Sequence, residues 1–67
     1  MKKFGKQLKL LRIYSKLSRR VLAKKIGVNY QTIYRWEHNF SDIKSNKLVL
    51  LSKIFTVTTD FLLGRKK

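Results

Sequence analysis

The sequence has no cysteine and no proline, and its 67 residues include only three acidic residues and one histidine. Without cysteine the chain forms no disulfide and offers no thiolate to a metal, and His38 alone is too little for a zinc centre. A length of about 70 residues is close to the lower limit for a domain that an apolar core stabilises unaided. We therefore expect one domain over residues 1–67, with no metal, no cofactor and no enzymatic activity.

Positive charge is abundant. Lys and Arg number 17, the formal net charge is +14 at pH 7, and the hydrophobic fraction is 43%. That fraction is ordinary for a globular protein and too high for a disordered polycation. Residues 1–25 hold ten of the cations and no acid, whereas residues 26–43 carry a net charge of −1. A folded domain with this charge is expected to bind a polyanion.

Capping and turn signals in the middle of the chain predict two helices joined by a tight turn. Ser18 is a good N-cap for a helix over residues 19–26, and Gly27 supplies the positive φ that ends it. Asn29 caps the next helix, over residues 30–37. A connection of three or four residues between two helices predicts a helix-turn-helix.

Three further helices complete the predicted fold. Apolar residues at helical spacing predict a first helix over residues 3–15, and Ser45 or its neighbour begins a fourth. Thr58 caps a short fifth helix, Gly64 ends it, and residues 65–67 form a basic tail. No long stretch shows the alternation of apolar and polar residues that is typical of a half-buried strand. The predicted fold is therefore all-α, a compact five-helix domain.

The third predicted helix has an apolar face, with Ile33 and Trp36, and a polar aromatic face. On the polar face Gln31 carries the amide that pairs with adenine, and Arg35, one turn later, carries the fork that matches guanine. The residues alone leave two interpretations open, base contact or an ordinary solvated face. The candidates for base contact are Tyr30, Gln31, Thr32, Tyr34 and Arg35.

The stretch LSRRVLAKKIGVNYQTIYRWE, residues 17–37, resembles the helix-turn-helix of the lambda-repressor-like family, which includes phage repressors, Cro proteins and xenobiotic-response-element regulators. FGKQLKLLR resembles the first helix of that family, and LVLLSKIFTVTTDFLLG resembles its fourth and fifth. The chain departs from the family at Arg19, where Gln is usual, and at Asn39 and Thr56, where Gly is usual or frequent. The resemblance implies a small Cro-like or repressor-like transcriptional regulator, bacterial or phage-encoded, cytoplasmic and nucleoid-associated, that binds double-stranded DNA.

The resemblance also implies roles for single residues. In the family the positions of Tyr30, Gln31, Thr32 and Arg35 commonly touch DNA. An Arg of the first helix pairs there with a Glu after the recognition helix, which implies an ion pair between Arg12 and Glu37. At the start of the second helix, side chains and backbone N–H groups can meet phosphates together. The expected phosphate contacts are Arg19, Arg20, Lys24, Asn39 and Lys44.

Val49 and Leu50 fall outside the apolar face of the fourth helix and predict an interface. Family members usually dimerise through their last helices, which implies a homodimer on a palindromic operator, without membrane or small-molecule partners. Two alternatives stay open. One is a protein-interaction module on the same fold, such as an antitoxin or a phage-encoded inhibitor. The other is a cationic membrane-active peptide, which the basic amphipathic first helix suits but for which the later caps and turns are unnecessary.

Overall fold

The computed structural model describes residues 2–64, apart from the side chain of residue 2, and five α-helices lie in this range. The described residues form no strand, and the all-α prediction is confirmed. The basic tail predicted at residues 65–67 lies outside the described residues. In chain order the helices are α1 (Lys2–Tyr14), α2 (Arg19–Ile26), α3 (Tyr30–Glu37), α4 (Ser45–Phe55) and α5 (Thr59–Leu63).

The boundaries of α2 and α3 are set by two capping side chains and one glycine. Ser18 Oγ accepts a hydrogen bond from Val21 N at 3.1 Å, and Asn29 Oδ1 accepts one from Gln31 N at 2.9 Å. These caps satisfy N–H groups that have no partner within their own helix. Gly27 has a φ of 83° and ends α2. The predicted helix-turn-helix is therefore present.

One apolar core joins the five helices. α1 packs against α3 and α5, while α2 packs against α3 and α4. Full burial of a large apolar side chain contributes about 1.5–3 kcal/mol, so this core supplies most of the stability of a chain without disulfides. Trp36, which the sequence places on the apolar face of the third helix, belongs to it. The buried members are Phe4, Leu8, Leu22, Ala23, Ile26, Ile33, Trp36, Leu51 and Leu62.

The close approach of α1 to the end of α3 requires glycine at position 5. A Cβ on Gly5 would lie 2.8 Å from the carbonyl oxygen of Trp36, a separation that real Cβ atoms do not show. Asn39 closes the same junction, because its Oδ1 accepts a hydrogen bond from Gly5 N at 3.2 Å. Asn39 adopts a left-handed conformation, with a φ of 57°. α1 therefore lies directly against the backbone of α3.

Glu37, the last residue of α3, is buried and binds two arginines. Arg12 Nε donates to Oε2 at 2.6 Å, and Arg19 Nε donates to Oε1 at 3.0 Å. The side chain of Glu37 is 0% exposed and that of Arg12 is 11% exposed. Arg12 also donates to the carbonyl oxygen of Leu17, just before α2, at 2.9 Å. The ion pair implied by the family resemblance is formed, and Arg19 adds a bond that the sequence did not predict.

We predict that Glu37→Gln lowers the free energy of unfolding by about 3 kcal/mol, because it leaves Arg12 as a mostly buried cation without a carboxylate. Urea denaturation followed by circular dichroism measures the loss. Asp42→Asn, which removes an exposed carboxylate from the loop after α3, is the control and should change stability by less than about 0.5 kcal/mol. Equal effects of the two substitutions would show that other contacts hold the arginines.

Thr56 ends α4 in a left-handed conformation, with a φ of 55° and a ψ of 46°. That conformation costs an L-residue about 1–2 kcal/mol and costs glycine almost nothing. We predict that Thr56→Gly raises the free energy of unfolding by about 0.5–1 kcal/mol, after allowance for the greater freedom of glycine in the unfolded chain. Thermal melts of both proteins measure the difference.

Thr56→Ala is the matched control, since alanine keeps the Cβ that the left-handed conformation disfavours. It should stabilise the domain less than glycine does. If alanine stabilises as much as glycine, the cost at this position lies in the threonine side chain and not in its backbone angle.

Candidate nucleic-acid interface

α3 has one face in the core and one face in solvent. Ile33 and Trp36 lie on the core side. Gln31 and Arg35 are four residues apart and project about one turn from each other on the same side of the solvent face. Thr32 is half-buried, the least accessible of the five candidates for base contact. The exposed candidates are Tyr30, Gln31, Tyr34 and Arg35.

Two arginines at the start of α2 lie over two tyrosines of α3. Cζ of Arg20 is 5.1 Å from the ring centroid of Tyr30, and Cζ of Arg19 is 5.3 Å from the ring centroid of Tyr34. Both distances are within the roughly 6 Å over which a guanidinium is attracted to the face of an aromatic ring. Each stacked pair restricts the orientation of both partners. The start of α2 and the outer face of α3 thus form one surface, which we call the Arg–Tyr surface.

Tyr34 also belongs to an aromatic cluster at the end of α3 that the sequence analysis missed. Its ring centroid is 4.0 Å from that of His38 and 6.4 Å from that of Phe40, while the rings of His38 and Phe40 stack at 5.6 Å. Phe40 is 69% exposed. The four-residue spacing of Tyr34 and His38 indicates a contact on a helix, but the position of Phe40 depends on the turn that follows.

Three of the predicted phosphate contacts are exposed cations. Arg20 and Lys24 border an open concavity beside the turn between α2 and α3, which Tyr30 also lines. Lys44 is exposed at the N-cap position of α4, where its side chain makes no capping bond, and the helix itself begins at Ser45. These three side chains are accessible to an anionic partner.

The other two predicted phosphate contacts also form structural bonds within the fold. Arg19 Nε is bound to Glu37, and Asn39 Oδ1 accepts from Gly5 N. The partners are separated by 18 and 34 residues along the chain, so neither bond has a local sequence signal. The structure therefore gives Arg19 and Asn39 positions in the fold that the sequence analysis did not assign.

Lys47 fixes α4 against the helix-turn-helix, a role that the sequence analysis also missed. Its Nζ donates to the carbonyl oxygen of Ile26 at 3.2 Å. Ile26 is the last residue of α2, where carbonyl groups lack helical partners and a cation interacts favourably with the helix dipole. A hydrogen bond from α4, 21 residues further along the chain, thus stabilises the C-terminal end of α2.

Val49 and Leu50, the predicted interface residues, are 43% and 39% exposed on α4. Phe61 on α5, the helix that packs beside α4, is 46% exposed. Apolar side chains on two adjoining helices are therefore accessible to a partner.

The described residues lack two further kinds of feature. Within residues 2–64 no helix combines the length and the apolar character needed to cross a membrane. The same part of the chain holds no group of three or more histidine or acidic side chains that could bind a metal ion.

Comparisons with known proteins agree with this geometry. A family model described as Helix-turn-helix matches residues 8–62. The HTH-type transcriptional regulator ImmR of Bacillus subtilis (strain 168) is 30% identical over 61 residues, which are 91% of this chain and 48% of that protein. The chain thus spans about half the length of this curated relative. No solved structure gives a significant match.

The matched segment contains the whole of α2, its turn and α3, and it extends from the middle of α1 into α5. Both caps, the glycine turn and the buried positions of the helix-turn-helix lie inside it. The chain belongs to the lambda-repressor-like helix-turn-helix family.

Proposed function

We propose that this domain binds double-stranded DNA sequence-specifically in the major groove and acts as a small Cro-like or repressor-like transcriptional regulator. The observation that carries the proposal is the exposed face of α3, which presents Gln31 and Arg35 from one side of a helix held by a cap, the core and Glu37. In a helix-turn-helix, the N-terminal residues of the second helix contact base edges. Gln31 lies in the first turn of α3.

The side chains on this face have the chemistry of direct readout. The amide of Gln31 pairs with the N6 and N7 groups of adenine, and the guanidinium of Arg35 pairs with O6 and N7 of guanine. The rings of Tyr30 and Tyr34 can pack against a thymine methyl group or donate a hydroxyl to a phosphate. Thr32 offers the same two groups on a smaller scale. Each bidentate pair contributes about 1–3 kcal/mol of discrimination between bases.

Sequence-independent affinity comes from the cations around this face. Arg20, Lys24 and Lys44 are exposed, and we assign them to phosphate contacts. The exposed Asn39, just after α3, is a fourth candidate for phosphate contact, and its Oδ1 also accepts a hydrogen bond from Gly5 N. Each neutralised phosphate releases counterions and makes binding weaken with salt by a slope of about 0.9 on logarithmic axes.

The proposed regulator acts as a homodimer. Val49 and Leu50 form the proposed contact, and two copies would place two recognition helices about 34 Å apart on a palindromic operator. The relative from Bacillus subtilis is named a transcriptional regulator, which supports the regulatory role proposed for this chain.

Selection of bound sequences from a random DNA pool tests the proposed readout. We predict that the chain enriches a two-fold site, and that Gln31→Ala and Arg35→Ala each cost about 1–3 kcal/mol and relax specificity at one base pair. Lys25→Ala is the control, because Lys25 is an exposed cation of α2 turned away from Lys24 on the helical wheel. If no sequence is enriched at physiological salt, the proposed specific binding is wrong.

Sedimentation equilibrium tests the homodimer. We predict that Val49→Asp weakens self-association by at least about 100-fold, since an unpaired carboxylate would be buried in the interface. Ile13→Asp, at an apolar position on α1 that is 53% exposed, should leave the dimer intact. A wild-type chain that is monomeric with and without operator DNA contradicts this assignment.

The two sets of variants also separate the DNA-binding function from the protein-interaction alternative. If Val49→Asp abolishes the biological activity while Gln31→Ala and Arg35→Ala leave it intact, a protein-interaction module explains the chain better than a DNA reader.

A further inference from the structure

We propose that Arg19 is a positioning residue, which links the buried carboxylate of Glu37 to the ring of Tyr34 and so fixes one reading side chain of α3 before DNA binds. The sequence predicts a phosphate contact at Arg19. The proposal extends the proposed function, because it names a determinant of specificity within the same DNA-reading face.

The buried carboxylate of Glu37 fixes the Nε end of Arg19. Arg12 Nε binds Oε2 of Glu37 at 2.6 Å, so the carboxylate has a fixed orientation that does not depend on Arg19. Its other oxygen, Oε1, accepts from Arg19 Nε at 3.0 Å. Because the side chain of Glu37 is 0% exposed, water does not compete for this bond as it does at the protein surface. The guanidinium plane of Arg19 is therefore held at its Nε end.

The second step is the contact with Tyr34. Cζ of Arg19 lies 5.3 Å from the ring centroid, and the same ring lies 4.0 Å from the ring of His38. With Phe40 at 6.4 Å, the ring thus has three neighbours, of which Arg19 is held by a buried carboxylate. Tyr34 nevertheless remains 43% exposed. It can contact a base while its orientation is already restricted, which lowers the entropy cost of binding.

The two contacts of residue 19 require an arginine at this position. An arginine can bind a carboxylate through Nε while its planar face covers an aromatic ring, whereas lysine is a point charge without a plane. The glutamine that is usual at this position in the family has no charge to place over a ring. Arg20 provides the comparison, since it lies over Tyr30 at 5.1 Å but forms no ion pair among residues 2–64. Among the described residues, Arg19 alone connects a proposed base-contact side chain to the buried carboxylate.

The first experiment needs no DNA. The Cα–Cβ rotamer of Tyr34 is measured by NMR coupling constants in the wild-type chain, in Arg19→Lys and in Arg20→Lys as the matched control. We expect one dominant rotamer in the wild type and in Arg20→Lys, and rotamer averaging in Arg19→Lys. A single rotamer of Tyr34 in Arg19→Lys overturns the proposal.

The second experiment measures selectivity on the DNA site recovered from the random pool. Arg19→Lys should reduce by about 5–10-fold the preference at the base pair that also loses its preference in Tyr34→Ala. In the Tyr34→Ala background, Arg19→Lys should have no further effect, because the two residues act as one unit. Independent, additive effects of the two substitutions overturn the proposal. A thermal melting curve of each variant identifies a temperature at which all of them are folded, and binding is compared at that temperature.

The salt dependence of binding separates positioning from phosphate contact. Arg19→Ala should leave the slope of affinity against salt unchanged, while Arg20→Ala should lower it by about 1. A loss of about 1 in Arg19→Ala would make Arg19 a phosphate contact and overturn the proposal. If the wild-type chain selects no DNA sequence, the proposed function fails, and the NMR measurement still decides whether Arg19 fixes Tyr34.

Discussion

The buried carboxylate of Glu37 is the constraint on which the position of the recognition helix depends. A buried charge is costly unless it is paired and hydrogen-bonded, so the ends of Arg12 and Arg19 must remain at its two oxygens. Arg12 reaches it from α1 and Arg19 from the first residue of α2. Three helices thus meet at one side chain that terminates α3. Gly5 makes this meeting possible, because only glycine lets α1 approach the carbonyl groups of Trp36 and Glu37.

Positive charge and the residues proposed to read DNA are separated along the chain. Residues 1–25 hold ten cations and no acid, while residues 26–43, which contain α3, have a net charge of −1. A uniform positive face would attract any DNA equally, since phosphate contacts carry no sequence information. The proposed reading face is instead made of Gln31, the two tyrosines and Arg35. The hydrogen-bonding groups of these side chains can distinguish base pairs, because each base pair presents a different pattern of donors and acceptors in the major groove. Attraction and discrimination can therefore change independently by mutation.

Apart from the ion pair between Arg12 and Glu37, which the family resemblance implied, the elements that the sequence predicted are those whose causes are local. Ser18, Gly27 and Asn29 act within four residues of their own position, and so does Thr58, whose Oγ1 accepts from Phe61 N at 3.0 Å. The base-contact candidates share one helix and follow from its periodicity. By contrast, the bonds of Arg19, Asn39 and Lys47 join residues that meet only after the helices pack. From the sequence we predicted phosphate contacts for Arg19 and Asn39 and no contact for Lys47. The stacking of arginine on tyrosine was missed for the same reason, because it depends on how α2 crosses α3.

The recognition helix is too short to exist alone. α3 has eight residues, and isolated helices below about 12–15 residues are marginal in water, so its conformation depends on the cap at Asn29, on the burial of Ile33 and Trp36, and on Glu37. When a ligand binds only the folded state, the apparent affinity of the protein for that ligand falls once the unfolded fraction becomes appreciable. A small domain with about 5 kcal/mol of stability would reach that range after one or two core substitutions. Loss of DNA binding in a variant therefore identifies a contact residue only when the folded fraction is known, whereas a change in base preference at constant stability identifies one directly. Because Arg19 is bonded to Glu37 and also lies over Tyr34, it belongs to the stability network and to the proposed reading face at once, and base preference is the property that separates its stabilising role from its proposed positioning role.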